Sequence, residues 1–336
     1  MKSYLTNIKI LPHLYFLIKR NLKFQKQFMQ QTIIPDIENI KRDMDSSLDE
    51  KDFGKITKYY GLAVPAILGE SFCMLHGKRL TEKERTALTY LGGLTGLFDD
   101  FFDKKQISDD HIKKLVERHN LQDAQDDHER LFVRLFNKAR DNITHIDLFM
   151  RYIDEVFNIQ ILSRQQSISD IAIEKIEDIT YKKGGYSLLF YRSALDEHLS
   201  SQEEAMAYKL GSLMQLENDL FDVYKDSRDN INTLVTTAKT ISYVRQIYTT
   251  LLQETFAQVH QTTYSYQNKI AFLRFISVIL QRGMVCLDQL ETKSKLTNEV
   301  FSPKDYTRKD LICDMEKPGN TLKTIHYYAR CKVETQ

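Results

Sequence analysis

An all-α fold is predicted by three features of this 336-residue chain. The first is proline spacing. Pro12, Pro35, Pro65, Pro303 and Pro318 leave residues 66–302 without a proline, the strongest helix breaker. The second is apolar periodicity. Ala87, Leu91, Leu94 and Phe98 recur at i, i+4, i+7 and i+11, and Met206, Leu210, Leu213 and Leu220 do much the same. The third is the lack of obvious strand alternation. Hydrophobic residues are 42% and charged residues 28%, so the chain can bury a sizeable core.

Met1–Phe24 mixes Lys2, Lys9, Lys19, Arg20 and Lys23 with Ile, Leu, Tyr and Phe. It reads as an amphipathic first helix that packs on the body or makes a peripheral membrane contact. It lacks the apolar core and small-residue cleavage site of a signal peptide. Thr81 and Glu84 form a capping box that opens a helix ending in Asp99-Asp100-Phe101-Phe102-Asp103. Breaks near Ser47, Gly77, Ser108, Asn120, Asn142, Ser167, Ser200, Asp229 and Lys293 imply about ten helices. Lys182-Lys183-Gly184-Gly185 reads as an interruption, since paired glycines cause kinks. The helix after Ser200 carries Asn218-Asp219-Leu220-Phe221-Asp222-Val223-Tyr224-Lys225-Asp226. With no repeat and no flexible linker, the simplest organisation is a helical extension over 1–55 and one domain over 56–336.

Bulk properties exclude several classes. The net charge of +1 gives no electrostatic case for nucleic acid. Cys73, Cys286, Cys313 and Cys331 are scattered, without the spacing of a zinc site or a disulfide framework, and read as reduced thiols of a cytoplasmic protein. No run reaches the ~18 apolar residues of a transmembrane segment. HExxH, GxGxxG and P-loop patterns are missing.

The two acidic runs carry the functional signal. Residues four apart on a helix are neighbours, so Asp99 and Asp103 share a direction, and so do Asn218, Asp222 and Asp226. Facing each other, such clusters would hold hard divalent cations. Mg2+ takes few protein carboxylates and completes its shell with water and substrate phosphate, which implies a diphosphate ligand. Steps of 100° per residue place Leu88, Gly92, Thr95 and Gly96 near the Asp99 line, and Ala207, Gly211, Met214 and Gln215 near the Asn218 line. These small residues leave either a cavity for a hydrocarbon chain, with Phe102 near its mouth, or close helix packing.

Asp99-Asp100-Phe101-Phe102-Asp103 resembles the DDxxD motif of class I isoprenoid (terpene) synthases. Asn218, Asp222 and Asp226 resemble their three-ligand second motif, with Asp222 in place of Ser or Thr and Asp226 in place of Glu. Gly211–Asp219 is also similar to the FQ..DD stretch of chain-elongating prenyltransferases, and Asp222–Leu234 to the second motif of squalene and phytoene synthases. The resemblance covers roughly residues 55–330. It implies a class I terpenoid synthase-like helical bundle around a central cavity, in which three Mg2+ and a few cations ionise an allylic diphosphate. Asp99, Asp100, Asp103, Asn218, Asp222 and Asp226 are the implied metal ligands. Arg164, Lys182, Lys183, Lys225 and Arg228 are candidates for the diphosphate, and Leu88, Gly92, Phe102, Ala207, Gly211 and Gln215 for the cavity. Phe72, Tyr90, Phe101, Phe190 and Tyr191 are candidate aromatic walls for a carbocation. Tyr327, Tyr328 and Arg330 are candidates for a lid.

The leading expectation is a terpene synthase, a lyase that expels diphosphate from one polyprenyl diphosphate and cyclises or deprotonates the cation. Lys104-Lys105, rather than an arginine pair, follows the first cluster and favours this. The alternative is a prenyltransferase joining two isoprenoid diphosphates, supported by Gly77-Lys78-Arg79, which resembles a GKR motif. A third expectation is a non-catalytic helical partner protein. A homodimer is common in the resembling families.

Overall fold

The computed structural model describes residues 2–41, 48–103, 107–298 and 300–334. Every regular element among them is helical, so the all-α expectation holds. The α-helices are α1 (Lys2–Gln31), α2 (Ile33–Lys41), α3 (Glu50–Gly54), α4 (Gly61–Ala63), α5 (Glu70–His76), α6 (Glu82–Asp103), α7 (Asp109–Arg118) and α8 (Asp127–Arg140). They continue with α9 (Ile146–Ser163), α10 (Ile173–Arg192), α11 (Ser201–Arg228), α12 (Ile241–Gln261), α13 (Tyr266–Ser294), α14 (Arg308–Leu311) and α15 (Pro318–Arg330). The chain divides into two compact units. One comprises His13–Ile161 with Phe190–His198, the other Met1–Pro12, Leu162–Leu189 and Leu199–Gln336.

Several helix ends obey the local chemistry of the sequence. At the start of α6, the Thr81 amide donates to Glu84 Oε2 at 2.9 Å and the Glu84 amide donates to Thr81 Oγ1 at 3.2 Å. Each bond satisfies an amide the helix start would otherwise leave open. Ser108 and Ser200 cap α7 and α11, and Gly77 and Asp229 close α5 and α11. The break expected near Ser47 lies outside the described residues.

Other elements depart from expectation. Helix α1 runs through Pro12. The proline leaves the Ile8 carbonyl without its helical donor, but Ile8 is exposed, where water can serve instead. Between Glu50 and His76 the segments Lys55–Tyr60 and Val64–Gly69 are wound as π-helix, and Pro65 stands in the second. Thr262–Ser265 forms an additional break, fixed by Ser265 accepting the Asn268 amide at 3.3 Å.

The expected interruption at Lys182-Lys183-Gly184-Gly185 is absent, and α10 is continuous there. Its glycines serve close approach instead. A Cβ added at Gly184 would collide with the Gly211 carbonyl oxygen on α11, and one at Gly211 would collide with that of Gly184. Ser212 Oγ donates to the Tyr181 carbonyl at 3.0 Å across the same contact. Two helix backbones therefore touch at this crossing, which only glycine permits.

In the unit built from His13–Ile161, a chain of buried rings runs through the core. Centroids are 5.6 Å apart for Phe98–Phe132, 5.9 Å for Phe132–Phe136, 5.5 Å for Phe136–Phe149 and 5.3 Å for Phe149–Phe190. In the other unit, α13 is long and apolar enough by composition to cross a membrane, the one such helix among the described residues. Yet 67% of its apolar window is buried against protein, as in a core helix.

Replacing Gly184 with alanine forces the two backbones apart. The expected cost is about 1–3 kcal/mol in denaturant unfolding. Gly54→Ala is the control, because Gly54 is right-handed helical and nothing lies within 4 Å of an added Cβ. It should leave stability unchanged or raise it by about 0.5–1 kcal/mol. Equal effects at the two positions would contradict the close approach.

Candidate active site

The first acidic cluster ends α6. Phe98 and Phe101 are buried, with Phe101 packed 5.1 Å from both Phe132 and His128, so ring packing pins this last turn. The two leading aspartates then take different environments. Asp100 is buried, and Lys55 Nζ donates to its two carboxylate oxygens at 2.7 and 3.0 Å. Asp99 is half-buried, and its Oδ1 accepts from Gln160 Nε2 at 2.6 Å. One turn earlier, the Thr95 and Tyr191 hydroxyls lie 2.6 Å apart. The side chain of Asp103, and Lys104-Lys105, lie outside the described residues. Lys55 and Gln160 were not legible as partners, because each comes from a segment remote in sequence.

The second cluster lies on α11. Asn218 is exposed, whereas its neighbour Asp219 is 4% exposed. Gln215 Nε2 donates to Asp219 Oδ1 at 2.8 Å. Burial pushes the Asp219 carboxyl up to about 6, opposed by the Gln215 bond and the Lys183 charge, and reinforced by Asp222. Asp226 is pushed up to about 7 by burial and by the negative charges of Asp219 and Asp222, against Lys225 and Lys183. Positions 215, 219, 222 and 226 follow i, i+4, i+7 and i+11, one face of the helix. The interacting carboxylates are therefore Asp219, Asp222 and Asp226. The expected trio was Asn218, Asp222 and Asp226, and Asp219 shares a face of the helix with the last two.

The candidate cations divide. Lys183, on α10, acts on both Asp219 and Asp226. The Gly184–Gly211 contact beside it sets that proximity. Lys182 instead pairs with Asp178 at 2.9 Å on its own helix. Lys225 is exposed and lowers Asp226 through charge alone. Exposed Arg228 pairs with Asp229 at 3.0 Å, a contact worth little in water. Arg164 is exposed at the start of the turn Arg164–Ser167.

The expected cavity wall needs correction at two residues. Gly92 faces the Tyr60 carbonyl, where an added Cβ would sit 2.5 Å from the oxygen, and Gly211 faces Gly184. Both glycines serve backbone packing rather than an open space. Gln215 is a partner of Asp219. Leu88 and Ala207 are buried, and Phe102 packs edge-on against Phe98 at 5.2 Å and Phe157 at 5.9 Å. Among the candidate aromatics, Phe101 belongs to the ring core and Tyr90 donates its hydroxyl to Asp36. Of the lid candidates, Tyr328 is buried at 1% exposure and Tyr327 donates to Asp288 Oδ1 at 2.7 Å. Arg330 borders a cavity of about 360 Å³ with Asp288, Lys323 and His326. Lys78 of the Gly77-Lys78-Arg79 run donates to buried Glu84 at 2.9 Å, so it supports the start of α6.

Among the described residues no three His, Cys, Asp or Glu side chains form a ready-made metal group. The donor chemistry of Asp219, Asp222 and Asp226 nonetheless suits a hard cation. They offer only carboxylate oxygens, and two of them are raised by burial and by neighbouring negative charge, a penalty that bound Mg2+ would reverse.

No family model matches the chain, and no curated protein matches it. Among solved structures, a crystal structure of a dehydrosqualene synthase in complex with ligand is similar. It shares 15% identity at a TM-score of 0.48, over 84% of this chain and 96% of that one.

The raised carboxyls give a signed pH dependence. Between pH about 4 and about 7, folded Asp226 holds a proton that the unfolded chain has released. Stability from this group is therefore greatest at low pH and falls as pH rises through that window. Asp226→Asn should stabilise the metal-free protein at pH 8 by on the order of 1 kcal/mol, read as a higher thermal midpoint, and change it little at pH 4. A lower midpoint at pH 8 would contradict the charge crowding.

Proposed function

We propose that this protein is a magnesium-dependent enzyme that ionises a polyprenyl diphosphate. The observation that carries the reading is the crowding of Asp219, Asp222 and Asp226 on one face of α11. Asp219 and Asp226 are raised by burial first and by neighbouring carboxylates second, which destabilises the fold near neutral pH. Their retention makes sense if a divalent cation completes them. Asp99, at the end of α6, supplies the corresponding carboxylate of the DDxxD run.

In this reading Asp219, Asp222 and Asp226 would hold Mg2+ on α11, and Asp99 is a separate candidate ligand at the end of α6. Mg2+ supplies Lewis-acid stabilisation of the departing diphosphate. Lys183 contributes a fixed positive charge beside the aspartates. Gln215 orients the Asp219 carboxylate through a hydrogen bond. Gln160 does the same for Asp99. A terpene synthase, which cyclises or deprotonates the cation from one substrate, is the leading form. Lys78, of the run that resembles the prenyltransferase motif, pairs with Glu84, which weakens the support for chain elongation.

One observation favours a second form, coupling of two diphosphates as in squalene and phytoene synthases. The buried residue beside Asp222 and Asp226 is Asp219 rather than Asn218. The second motif is then all-aspartate, unlike the Asn-led pattern of cyclases.

The test is incubation with Mg2+ and single C10 to C30 all-trans diphosphates, with products identified by mass spectrometry. A hydrocarbon or alcohol of the substrate's own carbon number supports the synthase form. A product of doubled carbon number supports coupling. Asp222→Ala should lower turnover on the order of 10²–10³-fold with the fold intact. Absence of turnover on every diphosphate, or full activity of Asp222→Ala, would overturn the proposal.

A further inference from the structure

Helix α1 buries one face, and among the described residues leaves an apolar face exposed. The inward face is built from Asn7, Leu14, Asn21, Gln25 and Met29, all buried. Their amides serve the fold. Asn7 Nδ2 donates to the Cys331 carbonyl at 2.8 Å, and Gln25 Nε2 donates to Thr89 Oγ1 at 2.8 Å and to the Gly61 carbonyl at 3.1 Å. The outward face carries Leu5 at 52% exposure, Ile8 at 38%, Tyr15 at 53% and Phe16 at 67%. At 100° per residue these four fall within one third of the helix circumference, turned away from the buried stripe.

The charge along this helix is one-sided. Residues 1–35 contain Lys2, Lys9, Lys19, Arg20, Lys23 and Lys26 and no Asp or Glu. The remainder of the chain holds 41 basic against 46 acidic residues, so the +1 net charge conceals a basic arm on an acidic body. Lys9, Lys19, Arg20, Lys23 and Lys26 are exposed. Apolar exposure is concentrated between Tyr4 and Phe16, a span of about 18 Å, and Phe24, further along, lies beneath the Arg85 guanidinium. The exposed cations are concentrated from Lys19 to Lys26. A surface helix with aromatic and aliphatic residues outward, flanked by cations and free of carboxylates, matches a bilayer interface. Apolar side chains enter the acyl boundary while lysines meet anionic headgroups.

We infer that the outward face of α1 docks this protein on membranes rich in anionic lipid. This lies beyond the proposed chemistry, and its test needs no turnover. The full-length protein is floated with vesicles of phosphatidylcholine alone and of phosphatidylcholine mixed with phosphatidylglycerol. The expected result is capture by the anionic vesicles, weakening steeply with salt. Leu5→Ser with Phe16→Ser, and separately Lys19→Gln with Arg20→Gln and Lys23→Gln, should each reduce partitioning on the order of tenfold. Unchanged helicity and thermal midpoint in each variant would exclude unfolding as the cause. Absence of capture by either vesicle, or capture that neither variant weakens, overturns the inference. So does light scattering that shows a dimer turned into a monomer by Phe16→Ser, because a second copy then covers the face.

Discussion

Burial of like charges on α11 is the constraint on which the rest of the candidate site depends. Asp219, Asp222 and Asp226 repel one another in a poorly solvated setting, and Asp226 shows the result most clearly. The fold tolerates this because α10 approaches α11 closely enough to bring Lys183 and Thr180 alongside. That approach in turn depends on Gly184 and Gly211, whose missing side chains let the two backbones meet. Glycine, lysine and aspartate form one chain of cause across two helices. Strain of this kind, with stability given up, is common at functional sites.

The end of α6 is organised differently. Here a ring cluster does the positioning, and Phe101 drops into the core between two aspartates. The adjacent carboxylates are thereby separated in role. Asp100 is held by Lys55, while Asp99 stays half-buried and accepts from the Gln160 amide. The paired aspartates at the start of the DDxxD run therefore do not act as equals, and the first of them is the better ligand candidate.

Local signals were the legible ones. The capping box at Thr81 and Glu84 needs only residues three apart, and its partners could be read from the sequence. The serine caps of α7 and α11 are similar cases. What escaped was set by partners distant in the chain. Gly184-Gly185 reads as a break in isolation, but the α11 backbone occupies the space beside it, so the helix continues. The same fact turned Gly211 from a cavity residue into a packing residue. Asn218 and Asp219 are adjacent, and nothing local distinguishes which one turns inward. Burial of the neighbouring Glu217 and Leu220 faces fixes that rotation. The outward aromatics of α1 were visible as composition, yet their exposure became evident only once the buried stripe was known.

The central claim is that the aspartate face of α11 exists to receive magnesium with a diphosphate. A crystal structure grown with Mg2+ and inorganic pyrophosphate tests this most directly. The account predicts Mg2+ bound by oxygens from among Asp219, Asp222 and Asp226, with the pyrophosphate completing its shell and Lys183 close by. Pyrophosphate and Mg2+ bound elsewhere, with those three carboxylates contacting only protein and water, would contradict it.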